Sequence, residues 1–129
     1  MIVTDNTVLV DFWMGEPDYK KSAKQLLMED SEWLAPSIWQ YEFCFVLQKY
    51  ERRGGLASTS KYSAIELSQQ MVKTVYEIDL QEIERLAEKT GLKFYDASYV
   101  WLAASRGLKL FTRDKQIIRA CPAHVGQMP

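Results

Sequence analysis

One histidine, His124, and two widely separated cysteines, Cys44 and Cys121, set the first limits on this chain of 129 residues. A single imidazole near the C-terminus cannot build a histidine-based metal triad. The cysteines form no CxxC pair, so in a reducing compartment they read as a small buried hydrophobe and an ordinary loop thiol, not as a bridge. No apolar run approaches the about 18 residues of a membrane span, and the N-terminus lacks the basic, apolar, small-residue order of a signal peptide. A cytoplasmic location and no membrane partner are the expectation. The GxSxG elbow of serine hydrolases and the phosphate-cradling GxxxxGK[ST] and GxGxxG loops are missing as well.

What is present suits one domain over residues 1–129, with 47% hydrophobic and 26% charged residues, enough to bury a core. The net charge of -1 hides an asymmetry. Residues 1–48 carry three bases against eight acids, and residues 49–129 carry 13 bases against nine acids. A uniformly basic nucleic-acid binder is excluded; an acidic pocket with bases around it fits the sum, and so do solvated helix faces of mixed sign.

Strands and helices alternate. Ile2 and Val3 begin a strand, Val8 to Trp13 is apolar, and Glu16-Pro17-Asp18 opens a helix over about 17–30. Trp33 to Ala35 reads as a buried strand ended by Pro36, with Ser37 able to cap a helix running to about Arg53 and stopping at Gly54-Gly55. Leu56 to Lys73 is mostly helical, Thr74 to Ile78 has strand alternation, and Asp79 starts a helix whose apolar face is Leu80, Ile83, Leu86 and Ala87. A helix over Asp96 to Arg106, with Ala97, Val100, Trp101 and Ala104 as its buried stripe, precedes a strand at Leu108 to Phe111. A short helix near Lys115 to Ala120 and a weak strand around His124 to Gly126 end the chain. This alternation predicts an α/β fold with parallel pairing through right-handed crossovers.

Four acids fall at element boundaries or on an apolar face. Asp5 follows the first strand, Asp96 opens a helix, and Asp114 follows the strand KLFT; each also fits a helix cap. Glu42 lies among apolar residues of its helix, where a carboxylate costs several kcal/mol unless paired, protonated or bound to a cation. A salt bridge to Lys49 or a nearby Arg is the alternative. In an open α/β sheet the crevice beyond the carboxyl ends of the strands is the default ligand position. Oxygen ligands without His or thiolate select Mg²⁺ or Mn²⁺ over Zn²⁺. Metal-assisted chemistry on a phosphate is the reading that remains.

The segments MIVTDNTVLVDFW, PSIWQYEFCFVL and YDASYVWLAASRGLKLFTRD resemble a PIN domain, and the size resembles the VapC toxins of toxin-antitoxin pairs. The likeness spans nearly the whole chain. It implies a three-layer α/β/α sandwich around a central parallel sheet of about five strands, and a Mg²⁺- or Mn²⁺-dependent endoribonuclease. Asp5, Glu42, Asp96 and Asp114 would be its catalytic and metal-holding acids. Asn6 stands where many relatives have Thr or Ser, and Thr112 matches the hydroxyl before the last acid; both would support the ligands. Lys49, Arg52, Arg53, Arg113 and Lys115, with Arg119, are candidate phosphate contacts, and solvated surface bases otherwise.

An antitoxin that blocks the acidic pocket with a basic side chain, and a homodimer, are the protein partners the resemblance implies. Trp13, Trp33 and Trp39 are the aromatic candidates for such an interface, or core. A catalytically degenerate PIN module that only binds protein or RNA is the alternative. A phosphotransferase with an Asp nucleophile fits less well, because the position two residues after Asp5 is Thr7. A receiver domain is disfavoured because Asp96 opens a helix.

Overall fold

The computed structural model describes residues 1–129, and its strands β1 (Ile2–Thr4), β2 (Trp33–Pro36), β3 (Val72–Val75) and β4 (Leu110–Phe111) form one parallel sheet. Their order is β3-β2-β1-β4. Every residue of β1 and β2 is buried, as expected of parallel strands covered on both faces. The sheet has four strands, not about five. The tail contributes only a single bridge, Val125 to Leu110, because a 3-10 turn over Pro122–His124 takes the first residue of the expected fifth strand and leaves Val125 alone to pair.

The chain order fixes the layers. From β1 the chain passes through α1 (Asn6–Met14) and α2 (Pro17–Glu29) to β2, then through α3 (Trp39–Arg52) and α4 (Ser58–Met71) to β3. It returns through α5 (Leu80–Thr90) and α6 (Phe94–Arg106) to β4 on the far side of β1, and α7 (Lys115–Ala120) follows. Right-handed crossovers that step first one way and then back place α1 to α4 on one face and α5 and α6 on the other. The observed packing agrees, since α6 lies on β1, β2, β4 and α5 while α1 lies on α2 and α3. The resulting α/β/α layering makes the gap between β1 and β4 the switch point of the sheet, where ligand crevices form.

Local sequence explains the boundaries. The buried Asp5 caps α1, and Gly15 ends it where a Cβ would stand 2.7 Å from the Asp11 carbonyl oxygen. Gly91 and Gly107 close α5 and α6 in the left-handed conformation that favours glycine. Several expectations shift. Val8 to Trp13, read from the sequence only as apolar, is helical, with Val8 and Leu9 buried. Ser37 supplies no cap, and Pro36 is the last paired strand residue, opposite Val75. β3 lies at Val72–Val75 because Val72 pairs with Trp33, leaving Tyr76 exposed. Leu80 is exposed, while Ile83 and Ala87 carry the burial of α5. On α6 the buried set is Ala97 to Val100 with Leu102 and Ala103, because this helix is covered by the sheet and by α5. Ala104 is exposed and Trp101 half-buried, its indole N–H donating to Glu82.

One core of 26 buried residues joins all strands. Both cysteines are free, Cys44 exposed on α3 and Cys121 buried. No helix is long and apolar enough to cross a membrane.

Candidate active site

Asp5 emerges from β1 at the switch point, its backbone N–H bonded to the carbonyl of Phe111 in β4. Its Oδ1 accepts from the backbone N–H of Thr7 at 3.0 Å and of Val8 at 3.4 Å, and from the Thr7 hydroxyl at 2.6 Å. Oδ2 accepts only from the Thr112 hydroxyl. Asp5 is 5% exposed. Burial therefore pushes its carboxyl up from 3.8 to about 6, although all four hydrogen-bond donors pull the other way. Every one of those donors is neutral. The ion pairs of the structure join Met1 to Asp30, Lys61 to Glu51 and Arg113 to Asp11, so none compensates Asp5.

Glu42 sits in the first turn of α3, half-buried, with Oε1 accepting a 2.7 Å hydrogen bond from the Tyr99 hydroxyl of α6. Burial raises its carboxyl, the Tyr99 bond opposes this, and the charge of Asp96 adds to the rise. The alternative of a salt bridge to Lys49 is not realised, because that ammonium stands over the Phe45 ring at 4.5 Å. Asp96 lies in the first turn of α6 but does not cap it; Lys93 is the N-cap residue. Its carboxyl is raised by burial and by the charge of Asp114, with Lys93 opposing. Asp114 caps α7, accepting from Gln116 N at 2.8 Å and Ile117 N at 3.4 Å.

The fold thus brings the acids to one end of the sheet. Tyr99, nearly fully buried, has its phenol raised well above 10.0 by burial and then by Glu42, with Asp5 and Asp96 contributing charge. Glu42 touches that hydroxyl, while Asp5 and Asp96 act on it through their charge, and Asp114 acts on Asp96 in the same way. No three acid, His or Cys side chains are grouped closely enough to enclose an ion as they stand. The 380 Å³ apolar cleft lined by Trp13, Met14, Leu47, Leu56 and Ala64 contains none of the four acids.

The PIN domain profile matches residues 2–121, almost the whole chain. The chain belongs to the PIN domain family. It is 29% identical over 128 residues to a protein named Ribonuclease VapC3 from Pyrobaculum aerophilum, covering 96% of this chain and 97% of that one. Ribonuclease VapC3 of Mycobacterium tuberculosis is 27% identical over 122 residues, covering 95% and 88% of the two chains. A toxin-antitoxin complex from Klebsiella pneumoniae contains a chain that superposes with a TM-score of 0.75 at 20% identity, over 98% of this chain and 97% of that one; at that identity the likeness shows the fold.

Within this PIN domain the supporting residues differ from expectation. Thr112 does hydrogen-bond Asp5, but the second hydroxyl is that of Thr7. Asn6 makes no such bond, and its Oδ1 is the one buried side-chain nitrogen or oxygen left without a hydrogen-bond partner. Sequence reasoning missed Tyr99, a polar side chain one helical turn from Asp96 inside an apolar stripe. It also missed Asp11, although a lone acid in the apolar run Val8 to Trp13 is the signal that singled out Glu42.

The bases are dispersed. Arg113 is exposed, but its guanidinium is held: it is paired with Asp11 and lies 3.8 Å over the Tyr19 ring. Arg52 ends α3 ten residues beyond Glu42, about 15 Å along the axis at about 1.5 Å per residue, and Arg53 follows it. Lys49 is nearer, and Lys115 directly follows Asp114 in the first turn of α7. Trp33 and Trp39 are core residues, and Trp13 is half-buried with its N–H on Ser68, so none presents an open interface. The exposed rings of α3 and α4 are instead Tyr41, Phe45 and Tyr62.

Proposed function

We propose that this protein is a divalent-metal-dependent endoribonuclease, the toxin of a toxin-antitoxin pair, in which Asp5, Glu42, Asp96 and Asp114 hold Mg²⁺ or Mn²⁺. The observation that carries the reading is Asp5: a carboxylate 5% exposed at the switch point, uncompensated by any basic side chain, with three further acids at the same end of the sheet. The donor set fits such an ion. It is all oxygen, it is anionic, and Oδ2 of Asp5 carries a single hydrogen bond. When bound, the ion would neutralise the scissile phosphate and lower the pKa of a water for in-line attack.

The chain's own residues do the rest. Thr7 and Thr112 fix the orientation of Asp5, and Tyr99 fixes that of Glu42. Lys49 and Lys115 are the bases best placed to meet phosphates near the acids, with Arg52 and Arg53 meeting RNA farther along. The names of the VapC relatives support ribonuclease activity, and the toxin-antitoxin complex supports an antitoxin partner; charge complementarity would have it cover the acids with a basic side chain. The protein acts in the cytoplasm and as a single domain.

The test is cleavage of an end-labelled RNA pool with chelator, Mg²⁺ or Mn²⁺. Fragments that appear only with a divalent ion, and disappear in Asp96→Asn, support the reading. A folded wild-type protein that cuts no RNA under any of these conditions overturns it in favour of a PIN module that only binds.

A further inference from the structure

Asp11 is the buried acid with no place in the four-carboxylate set. It is 4% exposed in α1, and it pairs with Arg113 through two bonds, Nε to Oδ2 at 2.5 Å and Nη2 to Oδ1 at 2.7 Å. A buried carboxylate of this kind is costly unless its partner is held in good geometry, which a planar, two-pronged guanidinium provides. The Tyr19 ring, 3.8 Å from the Arg113 guanidinium carbon, flattens that group against α2. Arg113 is thereby tied to both α1 and α2.

The backbone of the same residue runs through the acid site. Its N–H donates to the Thr7 hydroxyl oxygen at 3.0 Å, and that hydroxyl donates to Asp5. On one side of Arg113, Thr112 donates to the other oxygen of Asp5; on the other, the Asp114 N–H donates to the Thr112 hydroxyl oxygen at 2.9 Å. Regular pairing of β4 with β1 ends at Thr4 and Phe111, so residues 112–114 lie beyond the sheet ladder. Their register against α1 is set by this set of side-chain bonds and by the ion pair behind it.

We propose that Asp11 and Arg113 are positioning residues of the cation site: they clamp the loop between β4 and α7 onto α1, so that Thr7 and Thr112 hold Asp5, and Asp114 is presented beside it. Neither side chain touches the ion or the RNA. This rests on the divalent-nuclease reading, and it replaces the phosphate contact expected of Arg113. A purely structural clamp would change stability alone, and a phosphate contact would change RNA binding alone.

The experiment compares wild type, Asp11→Asn and Arg113→Lys for Mn²⁺ affinity by calorimetry, for thermal stability in chelator, and for kcat and KM on one RNA. Both variants are expected to bind Mn²⁺ about 10-fold or more weakly and to lose kcat by a similar factor, with KM unchanged. If Asp11→Asn does not fold, Tyr19→Leu replaces it. That change removes only the ring under the guanidinium and is expected to weaken Mn²⁺ binding by about two- to fivefold. Wild-type Mn²⁺ affinity in the folded variants overturns the proposal while leaving the nuclease reading intact. A raised KM with unchanged kcat and unchanged Mn²⁺ affinity in Arg113→Lys also overturns it. A wild-type protein that binds no Mn²⁺ and cuts no RNA overturns both.

Discussion

The Tyr99 hydroxyl donates a 2.7 Å hydrogen bond to Glu42 Oε1, joining α6 to α3 across the end of the sheet. The two residues lie on opposite faces of the sheet, so this bond is a direct tie between its two helical layers at the site. It also fixes the orientation of one of the four acids.

Tyr99→Phe removes that donor. The expected cost is about 1.5 kcal/mol of stability in urea unfolding, since a half-buried carboxylate loses its partner. The Glu42 carboxyl, which the Tyr99 bond pulls down, should rise further, so cation binding in the variant weakens most at mildly acidic pH. Unchanged stability and unchanged Mn²⁺ affinity at pH 6 would show that the bond contributes nothing.

Asp5 gives a pH signature. Its carboxyl rises from 3.8 to about 6 on folding, so between these values the folded chain holds a proton that the unfolded chain has released. Stability from this group is fully present below about pH 4 and is lost as pH rises through about 6, on the order of 3 kcal/mol in total. In chelator, Asp5→Asn should therefore gain on the wild type as pH is raised from 4 to 7.5. A stability difference between the two that stays constant over this range contradicts the assignment.

A divalent ion should reverse that penalty. Mn²⁺ at 100 times its Kd is expected to stabilise the wild-type protein by about 2.7 kcal/mol, and the gain should shrink below pH 6 as protons compete for Asp5. Thermal melts with and without the ion at pH 5.5 and 7.5 read this directly. Equal stabilisation at both pH values would place the ion away from Asp5.

The bases divide by distance from the acids. Lys115→Ala should raise KM on short and long RNAs alike, because this residue lies beside Asp114. Arg52→Ala with Arg53→Ala should raise KM only on longer RNAs, and should reduce the salt slope by about 0.7 for each phosphate of the single strand that is no longer neutralised. Cleavage kinetics on a nested series of oligonucleotides separate the two. Equal effects of both changes on the shortest substrate would contradict the placement.

Much of the fold is legible in the sequence because parallel strands and their crossover helices leave strong local marks. Gly91 and Gly107 end helices where the sequence places those ends, and Asp79 caps α5. The misses come from tertiary packing overriding local pattern. α1 is buried enough that Val8 to Trp13 shows little periodicity, and β3 starts two residues early because Val72 finds its partner in Trp33. At the site, Asp5, Glu42, Asp96 and Asp114 are marked by element boundaries or by isolation on an apolar face. Their hydrogen-bond partners are not. Thr7, Tyr99 and the pair of Asp11 with Arg113 connect residues 57 or more positions apart or use ordinary turn chemistry, and no local pattern encodes which hydroxyl or guanidinium meets which acid.

Whether four carboxylates at the ends of β1, β4, α3 and α6 make one divalent-cation site decides the rest. Calorimetric Mn²⁺ titration of the wild-type protein beside Asp5→Asn and Asp96→Asn at pH 7.5 answers that question. Saturable binding to the wild type is expected, with a loss of at least about 10-fold in affinity in each variant. Wild-type binding that survives both substitutions, or no binding to the folded wild type, would contradict a shared site.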